Sequence, residues 1–87
     1  MGYWRIEWKP SARKELKRID RGEIPRILAA IESLAEDPHP AGCRKLVGST
    51  ATYRIRIGDF RVVYTIERNR LVIEIVRVRH RSTAYGP

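Results

Sequence analysis

The spacing of apolar residues changes near residue 50, and this change constrains the fold more than any other feature of the chain. Between residues 11 and 36 apolar residues recur three or four positions apart, which predicts amphipathic helices. Between residues 53 and 78 apolar and charged residues alternate, which predicts strands. With 87 residues there is room for one domain, 1–87. We therefore expect a two-layer α+β domain with helices packed on one face of a sheet.

The first half of the chain predicts a strand followed by a helical hairpin. Large apolar and charged side chains alternate over residues 3–8, which is typical of a strand with one buried face. Pro10 ends this strand, and an apolar stripe predicts a helix over 11–19. Gly22 interrupts the helical pattern, and a second stripe predicts a helix over 23–36.

The second half predicts a three-stranded antiparallel meander. Tight turns containing Gly58-Asp59 and Arg68-Asn69 separate the alternating segments. The loop that precedes the meander has room for one short strand. The predicted strands are 45–47, 53–57, 60–66 and 71–78, and a short turn or helix is expected at 82–85.

The net charge of +8 is concentrated in the second half of the chain. Residues 1–40 hold eight Lys or Arg and seven Asp or Glu, whereas residues 41–87 hold ten and three, and nine of those ten cations are Arg. Arginine binds phosphate through two parallel hydrogen bonds and stacks on bases. The composition thus indicates nucleic acid or an acidic protein as the ligand. The alternative is that these arginines are solvated residues on an exposed sheet face.

Alternation places some of these arginines on one face of the meander. Arg54 and Arg56 share the side of their strand opposite to the apolar residues. Arg61 follows a tight turn, so it can lie beside Arg56. Like charges facing each other across strands destabilise a sheet, and this pattern therefore favours an anionic ligand or partner.

The C-terminal segment adds groups that can transfer protons or stack on a base. His80 titrates near neutral pH, and Tyr85 carries both a ring and a hydroxyl. If residues 82–85 form a helical turn, Arg81 and Tyr85 project from the same side. The alternative is a frayed, polar terminus.

The few cysteines and histidines and the short apolar runs indicate a soluble protein without a metal. Cys43 cannot form an internal disulfide, and no apolar run approaches the length of a membrane span, so we expect a cytoplasmic protein. One cysteine and two histidines are too few and too scattered for a zinc site. We expect no metal and no cofactor, and an unreactive loop thiol at Cys43.

The sequence resembles the RelE branch of the RelE/ParE toxin superfamily over essentially its whole length. The resemblance lies in the order and spacing of three segments: KLVG at 45–48, YRIRIGDFRVVY at 53–64 and HRSTAY at 80–85. It implies a RelE-like fold and a type II toxin that enters the ribosomal A site and cleaves mRNA there, inhibiting translation. It also implies inhibition by a cognate RelB-like antitoxin. The sequence shows no DNA-binding helix-turn-helix, so we expect no direct DNA binding without the antitoxin.

The resemblance also implies roles for individual residues. Arg61 matches an arginine that contacts the scissile phosphate, and Tyr85 matches a tyrosine that stacks on a base at the cut. His80 is present in several relatives and absent from others. The expected catalytic residues are Arg61, Arg81, His80 and Tyr85, and the expected RNA-binding residues are Arg54, Arg56, Arg79, Lys45 and Arg77.

Metal-free RNA cleavage needs both charge stabilisation and proton transfer, and arginines suit the first better than the second. The neighbouring 2′-hydroxyl attacks, so its proton must be removed, the phosphorane stabilised and the leaving 5′-oxygen protonated. Guanidinium stabilises a phosphorane well but transfers protons poorly, because its pKa exceeds ~12. Some relatives carry lysine at the positions of Arg54 and Arg56. Proton transfer here is therefore expected from His80 or Tyr85.

Two other functions fit the same sequence. The ParE branch of the superfamily shares the fold, poisons DNA gyrase and cleaves nothing. A non-catalytic basic module that binds RNA or an acidic protein is the other alternative. Trp4 and Trp8 could form a base-stacking platform in such a module, although aromatics that alternate in a short strand are more typical of a core.

Overall fold

The structure, a computed structural model, describes residues 3–48 and 50–80. It confirms the predicted α+β class, the helical hairpin and the antiparallel meander. The predicted turn at 82–85 lies outside the described residues. The elements are β1 (Arg5–Trp8), α1 (Pro10–Lys17), α2 (Ile24–Ser33), β2 (Arg44–Lys45), β3 (Thr52–Ile57), β4 (Phe60–Glu67) and β5 (Val72–His80).

The described strands form one mixed sheet in the order β1-β5-β4-β3-β2. The pairs β2–β3, β3–β4 and β4–β5 are antiparallel. Strand β1 runs parallel to β5, with Arg5 opposite Val72 and Trp8 opposite Ile75. A parallel pair needs a long crossover connection, and the helices and the meander supply it. The N-terminal strand thereby extends the sheet next to its last strand.

The core lies between the helices and one face of the sheet. Ala12 of α1 and Ile27 and Ile31 of α2 are buried there. Trp4 and Trp8 are partly buried against the same core, so they pack as core residues, as their alternation indicated. The sheet contributes the alternate residues Ile55, Ile57, Phe60, Val62, Tyr64, Ile66, Ile73, Ile75 and Val78. The opposite side of the sheet is called the open face below.

All four helix boundaries differ from the predicted ones, since α1 spans Pro10–Lys17 rather than 11–19 and α2 spans Ile24–Ser33 rather than 23–36. Helix α1 begins at Pro10, whose fixed φ and missing N–H suit a first helical turn. Helix α2 ends at Ser33, and the prediction that it reaches residue 36 was wrong. The backbone N–H of Leu34 donates to the carbonyl of Ile31, an i to i−3 bond that tightens the chain into a turn.

Strand β5 contains a β-bulge at Val76. Val63 of β4 pairs with Arg77, but the next residue, Tyr64, pairs with Ile75, so Val76 is an extra residue. A bulge shifts the alternation of side chains by one position. Before it, odd-numbered residues of β5 face the helices; after it, Arg77 and Arg79 lie on the open face.

Candidate nucleic-acid interface

Three arginines lie side by side across the open face, near the turn that joins β3 and β4. The register places Arg56 opposite Arg61, and Arg61 opposite Arg79. The predicted proximity of Arg56 and Arg61 is confirmed. Side chains directly opposite each other start about 4.5–5.5 Å apart, so these three can act on one anionic group. This set is called the arginine row.

The turn that brings Arg56 and Arg61 together depends on Gly58. Its φ of 59° lies in the left-handed region, which favours glycine. With Ile57 opposite Phe60, two residues are left for the turn, Gly58 and Asp59, and the hairpin is as tight as the sequence predicted. The local sequence thus fixes the register that places Arg56 opposite Arg61.

The members of the arginine row differ in burial. Arg61, in the centre, is 8% exposed, while Arg56 is exposed and Arg79 is half-buried. Neighbouring cations repel each other, and the repulsion is stronger where the local dielectric constant is low. An anion bound across the row would offset the repulsion. The row therefore has the charge and the spacing of a phosphate site.

A second set of cations lies farther from the turn on the same face. Arg54 faces Arg44 on one side and Val63 on the other, and Val63 faces Arg77. The expected RNA-binding residues include Lys45 but not Arg44. Lys45 pairs with Tyr53, a residue of the helix-facing side, so the register does not bring Lys45 to the open face. Alternation within a strand of only two residues decides which of Arg44 and Lys45 lies on the open face, and the sequence pattern does not fix it.

Glu15 of helix α1 contacts the end of strand β5. One carboxylate oxygen, Oε1, accepts the backbone N–H of Val78 at 2.9 Å. The other, Oε2, lies 3.0 Å from Nε of Arg79 and 3.5 Å from a terminal nitrogen of Arg77. Both arginines were expected to bind RNA, and both are paired with an acidic residue to which sequence reasoning gave no role.

The structure does not bring His80 onto the open face. His80 pairs with Phe60, a buried residue of the helix-facing side, and the two rings meet edge to face with centroids 5.3 Å apart. Its side chain lines a groove of about 460 Å³ between α1 and the end of β5. Arg81 and Tyr85, the other expected catalytic residues of the C-terminal segment, lie outside the described residues.

A buried tyrosine, Tyr64, is excluded as a proton carrier. Burial is the main reason that the pKa of its hydroxyl is raised well above the usual range, and Cys43 adds to this effect. The hydroxyl donates a 2.6 Å hydrogen bond to the carbonyl of Pro38, and the ring stacks near Tyr53. Tyr64 stays protonated and anchors the loop that leads to β2.

The described residues hold neither a metal centre nor a membrane helix. Over 3–48 and 50–80, no three His, Cys, Asp or Glu side chains are grouped so that they could hold a metal ion. Within the same ranges, no helix is long and apolar enough to cross a membrane.

Comparison with known proteins identifies the family. A family model described as the ParE toxin of type II toxin–antitoxin systems, parDE, matches residues 6–85. The protein named RelE1 from Methanocaldococcus jannaschii is 33% identical over 75 residues, which cover 83% of each chain. The chain belongs to the RelE/ParE toxin superfamily, in its RelE branch.

Solved structures of RelE proteins share this fold. The RelE–RelB complex from Pyrococcus horikoshii OT3 aligns with a TM-score of 0.80 at 27% identity, covering 91% of this chain and 96% of that one. The intact RelBE complex of Escherichia coli aligns at 0.78 and 20% identity, covering 88% and 95%. The α+β fold is that of the RelE toxins, and the protein is a RelE-like toxin of a type II toxin–antitoxin system.

Proposed function

We propose that this RelE-like toxin is a ribosome-dependent mRNA endonuclease that cleaves mRNA in the A site by metal-free attack of the 2′-hydroxyl and so inhibits translation. The observation that carries the proposal is the arginine row, which places Arg56, Arg61 and Arg79 next to one another on the open face. Membership of the RelE branch supports the same reaction.

The arginine row supplies the electrostatic part of this reaction. A phosphorane carries two negative charges, and preorganised donors aimed at them stabilise the transition state. Arg61 contacts the scissile phosphate from the centre of the row, and Arg56 and Arg79 neutralise charge from either side. Arg81, which follows β5 in the sequence, is expected to add a further cation. Arg54, Arg44 and Arg77, farther along the face, bind the RNA backbone on one side of the cut.

Proton transfer needs groups other than arginine, because guanidinium stays protonated. Tyr64 is buried in the core and hydrogen-bonded to Pro38, so it cannot serve. Of the described residues in the expected site, His80 has a side chain that can both accept and donate a proton, but its ring packs against Phe60 on the helix-facing side. We assign proton transfer to the C-terminal segment, with Tyr85 and His80 as the two candidates. Tyr85 also stacks on a base and orients it.

We also propose an antitoxin partner for this toxin. The similar structures from P. horikoshii and E. coli are complexes of RelE with RelB. A RelB-like antitoxin would cover the open face with acidic and apolar side chains, because these complement the arginines. Since the proposed target is the translating ribosome, both proteins would act in the cytoplasm.

Primer extension on a translated mRNA tests the proposed reaction. With ribosomes present, the wild-type toxin should produce cuts at A-site codons, and without ribosomes the same mRNA should stay intact. Arg61→Ala is the loss-of-function control. Cuts in naked mRNA would make the protein a free ribonuclease, and tight ribosome binding without cuts would make it a binding module.

Gyrase inhibition is the second candidate function, because the matching family model is described as the ParE toxin. A gyrase poison needs neither an aligned phosphate site nor a proton donor. In a supercoiling assay with purified gyrase we expect no inhibition by this toxin. Inhibition of supercoiling together with intact ribosome-bound mRNA would favour the ParE activity.

A further inference from the structure

The Glu15 carboxylate lies beside strand β5 at the place where strand β1 no longer covers it. The parallel pairing of β1 with β5 ends at Trp8 and Ile75. Three residues farther along β5, the backbone N–H of Val78 donates to Oε1 of Glu15 instead of to a strand. The Glu15 side chain is only 21% exposed. Helix α1 thus completes the edge of the sheet with a single carboxylate.

The same carboxylate also contacts Arg79. Oε2 of Glu15 accepts a hydrogen bond from Nε of Arg79 at 3.0 Å. This bond uses one edge of the guanidinium, and the two terminal nitrogens take no part in it. An arginine has several rotatable bonds, and Arg61 repels it from the neighbouring strand position, so an unrestrained Arg79 would sample many conformations.

We propose that Glu15 is a positioning residue for RNA cleavage: it holds Arg79 in line with Arg61, with the terminal nitrogens of Arg79 available for a phosphate. The proposal deepens the proposed nuclease function and rests on it. Glu15 is the acidic residue of an otherwise basic helix. Its carboxylate neutralises part of the repulsion within the arginine row, at the Arg79 end.

Only a carboxylate can make both sets of contacts at once. Val78 and Arg79 are both donors, and each uses a different oxygen of Glu15. The amide of a glutamine has one acceptor oxygen, so its NH2 group would have to face one of the two donors. Glu15→Gln therefore keeps the size of the side chain but releases either the strand edge or Arg79.

A double-mutant cycle separates positioning from folding. Single-turnover cleavage of A-site mRNA would be measured against toxin concentration for wild type, Glu15→Gln, Arg79→Ala and the double variant. We expect Glu15→Gln to lower the maximal rate by about tenfold to a hundredfold, with the half-saturating concentration within about threefold of wild type. In the Arg79→Ala background the same change should have less than about a twofold further effect.

Glu7→Gln is the matched control. Glu7 also contacts two arginines, Arg5 and Arg70, each at 3.0 Å, but it lies toward the other end of the sheet. Glu7→Gln should cleave at the wild-type rate. Equal rates for Glu15→Gln and wild type, or effects of Glu15→Gln and Arg79→Ala that simply multiply, would overturn the proposal while leaving the nuclease function intact.

The NMR signal of the Arg79 Nε–H gives a readout that needs no cleavage. Hydrogen-bonded protons exchange slowly with water, so this signal should be sharp in the wild type and in Glu7→Gln and should broaden in Glu15→Gln. An unchanged Arg79 signal in Glu15→Gln would overturn the proposal. If the wild-type toxin cleaves nothing, the nuclease function fails, and this signal decides whether Glu15 holds Arg79.

Discussion

Arg61 differs from the other arginines of the open face in its burial, at 8% exposed. It is also the one member of the arginine row with an arginine on both sides, Arg56 and Arg79. In this position little water surrounds the guanidinium, so its attraction to a bound phosphate is weakly screened. Its burial and its two arginine neighbours suit Arg61 to a dianionic transition state.

Arg61→Ala should therefore lower A-site cleavage more than removal of any peripheral cation. We expect a loss of about 2–4 kcal/mol of transition-state stabilisation, roughly 30- to 1,000-fold in single-turnover rate. Arg68→Ala, in the turn between β4 and β5, is the control and should leave the rate unchanged. A loss below about twofold for Arg61→Ala would remove Arg61 from the site.

The two candidates for proton transfer can be distinguished in the same assay. Because the His80 ring packs on Phe60 on the helix-facing side, we expect His80→Ala to reduce the rate by less than about fivefold. Tyr85→Phe should reduce it by about a hundredfold or more, the typical value of a general acid or base. Unchanged rates in both variants would exclude both residues, and a larger loss in His80→Ala would reverse the assignment.

At the scale of elements, the bulge in β5 decides which residues join the site. In a regular strand, Ile73, Ile75, Arg77 and Arg79 would share one face, and both arginines would lie under the helices. The extra residue, Val76, moves the arginines to the open face and turns His80 away from it. Bulges often re-aim side chains next to active sites, and this one aligns Arg79 with Arg61.

Alternation explains why the sequence predicted some of the site and not the rest. It predicted the face of the sheet on which Arg54, Arg56 and Arg61 lie, because β3 and β4 are regular and a two-residue turn fixes their register. It could not place Arg79 and His80, since nothing in the local sequence marks Val76 as an extra residue. Nor could it reveal Glu15, whose contacts lie more than 60 positions away in sequence.

Deletion of Val76 tests the role of the bulge. The deletion would turn Arg77 and Arg79 toward the apolar core, where burying unpaired charges costs several kcal/mol. We expect the variant to lose cooperative thermal unfolding. Val76→Ala keeps the extra residue and should cost about 1 kcal/mol while retaining cleavage. A deletion variant that folds and still cleaves would show that the bulge does not place the site.

At the scale of the whole molecule, the positive charge is not equally available to RNA. At the end of the sheet away from the β3–β4 turn, Arg70 contacts Glu7 at 3.0 Å and Glu67 at 3.1 Å. At the other end, the arginine row holds three aligned cations, with Glu15 at its outer edge. In the described part of the sheet, the arginines at one end are thus paired with carboxylates, whereas the other end is cationic.

This asymmetry predicts which cations set the salt dependence of RNA binding. For single-stranded RNA, the slope of log Kobs against log salt is about −0.7 for each phosphate neutralised. Using a 2′-O-methyl RNA that cannot be cleaved, fluorescence anisotropy over a KCl series should show that Arg56→Ala makes the slope shallower by about 0.7. Arg70→Ala removes the same charge from the neutralised end and should leave the slope unchanged. Equal changes in both variants would mean that RNA responds to the net charge alone, and the arginine row would then have no special part in binding.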